Sequence, residues 1–330
     1  MRLRWIILAA LTLAAALVGR AAAWTEDVLG APFEMRYVNQ PADYSGNVRC
    51  TVVRLQAPNS TGKAVLYVHG YNDYFFQREM AERFVAQGYD FYAVDLRKYG
   101  RSIMPGQTLF ELRDISEYYA DIDSALTIMT AEGGAREIVL MGHSTGGLTT
   151  SCYLARHPDP RVRALVLNSP FLDWNQSAMQ EKMLIPMVRT FRKLAPRMKI
   201  PQNSDGAYAH SLHRAFGGEW DYNLDWKLEL SPAVETSWLA AIDAAHDIVQ
   251  NTPRINIPIL LMHSDTTVTS GNRGDAVLDV EDIARYGRGL GVDVTEITVR
   301  GGLHDLALSA RDIRDAMFDY LFAWLKENGF

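Results

Sequence analysis

Hydrophobic and polar positions along this chain follow two alternating periods. Two alternating or β-branched runs, Phe33–Val38 and Val48–Leu55, flank the turn-rich stretch Pro41-Ala42-Asp43-Tyr44-Ser45-Gly46-Asn47, which predicts a hairpin. The unbroken apolar run Ala64–Val68 then has the character of a strand buried on both faces of a parallel sheet. Further strand-like runs follow at Asp90–Val94, Ile138–Met141, Ala164–Leu167, Ile257–Met262 and Val292–Val299. Between and after them, helical periodicity predicts helices over Arg78–Gln87, Asp114–Glu132, Gly146–Arg156, Val280–Gly287 and Arg311–Glu327. Strand and helix in this alternation imply right-handed crossovers and a mostly parallel sheet. The rhythm breaks from Phe171 to about Pro253, where strand-like runs are absent and helix-like stretches are rich in Met and Trp. One sheet domain with an inserted helical segment of about 80 residues is the simplest organisation.

Composition narrows the class. The chain has 330 residues, 48% hydrophobic and 22% charged, the balance of an ordinary globular protein. Its N-terminus reads as an export signal: Arg2 and Arg4 precede the apolar run Trp5–Val18, and Ala21-Ala22-Ala23 offers a small-residue cleavage site. That run is short against the roughly 20 residues of a membrane span. The expected mature chain, residues 24–330, is secreted or periplasmic and has no stable membrane span. Losing Arg2, Arg4 and Arg20 with the signal takes the net charge from −6 to −9. Such an acidic balance, without any run of five Lys/Arg, excludes a nucleic-acid partner, which requires basic patches. Cys50 and Cys152 are too few for a disulfide framework and are expected as buried, unpaired thiols.

Chemistry enters at Gly142-His143-Ser144-Thr145-Gly146, which lies between a buried strand and a helix. A serine hydroxyl attacks only when a base removes its proton, and it must project beyond the sheet edge. A tight strand-to-helix turn projects it, with glycines where a Cβ would collide, and the helix N-terminus sets N–H groups beneath a developing oxyanion. Ser144 is therefore the candidate nucleophile. His69-Gly70-Tyr71-Asn72-Asp73 follows a strand run, and the Tyr71 and Thr145 amides form the candidate oxyanion pair. The His69 imidazole reads as structural, with Asn72 and Asp73 bracing the loop. His304, just past the last strand, is the candidate base. Its acid should follow the strand ending at Met262: Asp275 is favoured, before a helix, with Thr266–Gly274 as a loop insertion, and Asp265 is the alternative.

Together these residues resemble the α/β-hydrolase superfamily, in its serine aminopeptidase, monoglyceride lipase and lysophospholipase branch. The resemblance covers nearly all of the chain after the signal. It implies an α/β-hydrolase fold with an eight-stranded sheet, a helical lid over about 171–253, no metal or cofactor, and acyl transfer through a covalent acyl-enzyme. Two departures bear on the acid: Ser264 stands where the family usually has glycine, and Thr266–Gly274 looks inserted. The lid holds Trp174, Trp220, Trp226 and Trp238, with Met179, Met183 and Met187 at helical spacing. These side chains form either an apolar substrate pocket or the lid's own core, and His143, Trp174 and Trp220 are the candidate substrate contacts. Hydrolysis of an apolar, lipid-like carboxylic ester, of lysophospholipid or monoacylglycerol type, is the expected function. Alternatives are a serine aminopeptidase or amidase, with Glu219, Asp221 and Asp225 to receive a free amine, and a non-hydrolytic binding protein or lyase on the same scaffold.

Overall fold

A computed structural model describes residues 23–174, 194–202, 205–251, 255–270 and 273–330. Residues 1–22 of the expected signal and Met179, Met183 and Met187 lie outside the described residues. The strands are β1 (Thr25–Glu26), β2 (Glu34–Asp43), β3 (Gly46–Leu55), β4 (Lys63–Val68), β5 (Asp90–Asp95), β6 (Glu137–His143), β7 (Val162–Asn168), β8 (Lys199–Ile200), β9 (Val234–Glu235), β10 (Ile259–Ser264) and β11 (Val294–Val299). The helices are α1 (Arg78–Ala86), α2 (Tyr119–Ala131), α3 (Thr145–Arg156), α4 (Ala207–Leu212), α5 (Thr236–Asn251), α6 (Val280–Gly287) and α7 (Arg311–Glu327).

The main sheet runs β1-β2-β3-β5-β4-β6-β7-β10-β11. It is parallel from β5 to β11 and antiparallel at the β1-β2-β3 end and where β3 meets β5. The expected eight strands are all present, and the two residues of β1 add a ninth at the edge. Alternation along β4 divides the core in two. Ala64, Leu66 and Val68 pack on one face with Ile122 of α2, Leu148 of α3 and Ile242 of α5, whereas Val65 and Tyr67 pack on the other with Phe84 of α1 and Met317 of α7. Cys50 on β3 and Cys152 on α3 are buried, free thiols.

Three expectations shift. The hairpin turn contracts to Tyr44-Ser45, because a register break between Gln40 and Asp43 accommodates Pro41, which has no N–H for the ladder. The helix expected from Asp114 begins as a 3₁₀ turn, Ile115–Tyr118, under a capping box of Asp114 and Glu117, before α2 proper. The inserted stretch does contain strand, since β8 and β9 pair antiparallel; two residues each are too short for a period to be legible. Among the described residues no helix is long and apolar enough to cross a membrane, and no group of three or more His, Cys, Asp or Glu could hold a metal ion.

Candidate active site

Ser144 occupies the single residue between β6 and α3, with φ +52° and ψ −121°. A non-glycine residue there is strained, and surrounding bonds hold it. Its N–H donates to the Asn168 carbonyl at 3.0 Å, and its own carbonyl accepts from Phe171 N at 3.0 Å and Leu148 N at 3.1 Å. The flanking glycines are dictated by contact. A Cβ on Gly146 would lie 2.3 Å from the Val68 and His69 carbonyl oxygens, and one on Gly142 would lie 2.6 Å from the Gly146 oxygen.

His304 sits in the loop between β11 and α7, buried, with Nδ1 2.9 Å from Asp275 Oδ2. The other carboxylate oxygen, Oδ1, accepts the Val277 and Leu278 amides, each at 2.8 Å. An ionised carboxylate can only accept, so Nδ1 carries the proton and Nε2 keeps a lone pair. Burial pushes the Asp275 carboxyl up, but His304 and the two amides outweigh it and leave it below the usual value. The loop insertion explains how an acid so far past β10 comes to this place. Asp275 N donates to Thr266 O and Val268 N to Asp275 O, both at 2.8 Å, so the chain loops out and returns beside the strand end. Asp265 is exposed, and its Oδ1 accepts the Gly301 amide at 2.8 Å, bracing the loop that carries His304.

The Tyr71 loop abuts the elbow: an ideal Cβ on Gly70 would be 3.0 Å from Ser144 Cβ. His69 accepts the Leu96 amide at Nε2 (3.1 Å), so its Nδ1–H donates to the Gly70 carbonyl at 2.8 Å. A trans peptide sets its C=O and N–H on opposite sides, so this bond turns the Tyr71 N–H away from the His69 ring. Thr145 N–H, first in α3, has no intrahelical acceptor by position.

His143 packs against His304, ring centroids 4.8 Å apart, and its Nδ1–H donates to the Asn168 carbonyl at 3.1 Å. Trp174 stands edge-on to Phe171 and His246, and its indole N–H has no partner among the described residues. Trp220 instead ties the inserted segment down, donating Nε1–H to the Leu308 carbonyl at 2.9 Å beneath the Arg314 guanidinium.

Sequence reasoning passed over a buried polar group next to His304. Asp305 accepts from Gln77 Nε2 at 2.9 Å and Asn168 Nδ2 at 2.8 Å. Burial raises its carboxyl, yet His143 and these donors bring it below the ordinary value. Adjacency to His304 was the available signal, but its partners lie 137 and 228 residues away.

His246 supplies a testable pH dependence. Its Nε2–H donates to the Phe171 carbonyl at 3.1 Å, and burial holds its imidazole down at about 4. Between pH 6.5 and 4 the unfolded chain therefore binds the extra proton, and stability falls as pH falls, by about 3 kcal/mol. Above pH 6.5 the contribution is complete. Urea unfolding at pH 7 and 4.5 should show this loss, reduced in His246→Gln; equal losses in both proteins would remove His246 as its source.

The family model described as serine aminopeptidase, S33, matches residues 59–308, more than half of the chain. The chain belongs to that family. Among the relatives of this S33 hydrolase, a monoacylglycerol lipase of Mycolicibacterium smegmatis is 27% identical over 202 residues, covering 61% of this chain and 69% of the lipase. A non-heme haloperoxidase of Rhodococcus erythropolis is 27% identical over 222 residues, covering 62% and 75%. The solved soluble variant of Saccharomyces cerevisiae monoglyceride lipase superposes with a TM-score of 0.66 at 16% identity, covering 89% of this chain and 96% of that one. A carboxyl esterase from Bacillus coagulans does so at 0.65 and 14%, covering 89% and 98%. These two structures establish the α/β-hydrolase fold.

Proposed function

We propose that this S33 hydrolase cleaves small carboxylic esters with an apolar acyl or alcohol part, through an acyl-enzyme on Ser144. The observation that carries the reading is the coincidence of a strained serine elbow with a buried His304–Asp275 pair whose free Nε2 can act as base. In this scheme His304 takes the Ser144 proton, the Ser144 oxygen attacks the carbonyl, and the Tyr71 and Thr145 amides hold the oxyanion. His304 then protonates the leaving alcohol and activates the water that releases the acid.

An ester is favoured over an aminoacyl amide by the surroundings. Tyr71, Phe110 and Trp238 form an aromatic group beside the oxyanion loop, with Tyr71 centroids 5.1 Å and 4.8 Å from the other two. The acids that could receive a free amine are engaged or exposed: Glu219 pairs with Arg314, Asp221 with Arg214, and Asp225 faces solvent. The monoacylglycerol lipase relative supports the same substrate class. Residues 171–253 are proposed as the lid over this site.

The test uses the chain from Trp24, the start expected after cleavage at Ala23. Monoacylglycerols and p-nitrophenyl esters should turn over far faster than aminoacyl amides of equal leaving-group quality. A fluorophosphonate should label the Ser144 peptide, identified by mass spectrometry. Preferential cleavage of the aminoacyl amides would transfer the assignment to the aminopeptidase reading, and labelling elsewhere would remove Ser144.

A further inference from the structure

The loop that carries the Tyr71 amide is held on two sides. From the sheet side, His69 fixes the Gly70 carbonyl. From the other side comes a stretch of the inserted segment, residues 222–238, that follows the loop almost residue by residue. Tyr71 packs its ring on Trp238. Asn72 donates Nδ2–H to the Leu228 carbonyl at 2.9 Å and accepts the Leu228 amide at Oδ1 at 2.8 Å, so its carboxamide pairs with that backbone as a strand would. Asp73, buried, accepts from Lys227 Nζ at 2.9 Å, and its second oxygen has no partner among the described residues. Tyr74 accepts the Asn223 amide at 2.8 Å, and Phe76 packs on Tyr222 at 4.9 Å.

Asn72 itself has φ +49°, a left-handed conformation that asparagine tolerates better than most residues. The side chain that makes the two-fold clasp thus sits directly after the peptide unit that presents the Tyr71 N–H, at a point where the backbone is not in a relaxed well. The clasp is the contact from this side that bears on Asn72 itself, while Trp238, Lys227 and Asn223 hold its neighbours Tyr71, Asp73 and Tyr74.

From this we infer that Asn72, with the Asp73–Lys227 pair, is a positioning residue: the inserted segment is part of the oxyanion machinery, holding the Tyr71 amide where charge develops. The inference rests on the reading of Ser144 and Tyr71 given above. It assigns residues 222–228 a different role from a lid that merely opens and closes over substrate. They form a strap whose docking sets transition-state stabilisation.

The test compares wild type, Asn72→Gly and the double variant Asp73→Asn/Lys227→Met on a p-nitrophenyl ester, with active sites counted by titration. Glycine adopts φ +49° freely, so Asn72→Gly deletes the clasp without adding backbone strain. Removing both members of the buried pair avoids stranding one charge. An amide displaced from the oxyanion position should lower kcat per titrated site by about 10- to 100-fold while KM stays within about twofold. Unchanged kcat per site with only a lower melting temperature would overturn the inference and leave strap residues as mere anchors. A rise in KM at constant kcat would also overturn it, by making the strap part of the binding pocket. Ser144-dependent turnover by wild type tests the underlying reading separately; if that turnover is absent, both fall.

Discussion

Ser144→Ala is expected to lower kcat on a carboxylic ester by about 10⁶-fold, and Asp275→Asn by about 10⁴-fold, both proteins remaining folded. The second effect follows from the bonds of one carboxylate. In Asp275→Asn the side-chain oxygen would stay on the Val277 and Leu278 amides, which require an acceptor. The new amide NH₂ would then face His304 Nδ1, which can meet a donor only by giving up its own proton. The proton moves to Nε2, the nitrogen needed as base, and the imidazole is held in the wrong tautomer. Because the amide bonds survive, the melting temperature should change little while activity collapses. Asp265→Asn, by contrast, keeps an oxygen for the Gly301 amide and should leave kcat within about twofold of wild type. Esterase kinetics on the three variants with thermal unfolding alongside would decide. A collapse in Asp265→Asn with Asp275→Asn active would exchange the two acids.

The contrast between these two aspartates also shows what could be read from the chain alone. Strands and helices of the sheet were legible because their periods are long and their apolar runs unbroken: Ala64–Val68 alternates between two cores, and α6 and α7 have the ends their periodicity implies. The elbow was legible because its glycines, serine and flanking strand and helix are contiguous in the sequence, although the contact that dictates Gly146 comes from Val68 and His69. The relation of His304 to Asp275 rather than Asp265 depended on a loop folding back onto Thr266, which no period encodes. Still less legible were the polar bonds between distant stretches of the chain. Asn72 to Leu228, Trp220 to Leu308 and Asp305 to Gln77 join residues 88 to 228 positions apart, and each uses one polar group whose partner only the assembled fold supplies. For Trp220 the sequence left a substrate pocket and the lid's own core both open, and the indole N–H bond to a carbonyl of the loop after His304 is visible only in the fold.

A comparable long-range dependence produces the largest expected effect on stability, at Arg101. Its side chain is fully buried, reaching Asp27 through Nε (2.6 Å) and Nη2 (2.8 Å), and Asp95 and the Phe75 carbonyl through Nη1 (2.8 and 2.9 Å). Asp95 in turn accepts the Phe75 and Arg101 amides at 2.9 and 3.0 Å. One guanidinium thus fastens the N-terminal segment, the end of β5 and the loop entering α1. Burial works against its charge, but the two carboxylates outweigh it and raise its pKa further. Arg101→Met fills much of the space and leaves two buried carboxylates unpaired, which should cost about 3–5 kcal/mol. For a domain of this size that corresponds to a fall in melting temperature of roughly 6–20 °C. The companion variant Arg101→Met/Asp27→Asn/Asp95→Asn, which removes all three charges together, should recover part of the loss, since the penalty lies in the stranded carboxylates more than in the missing guanidinium. Melting temperatures of the two variants separate these contributions; a single variant within about 2 °C of wild type would show that the network contributes little net stability. Asp27 lies only four residues past Ala23, and a chain starting beyond Asp27 should reproduce much of the Arg101→Met defect by removing one of the same two carboxylates.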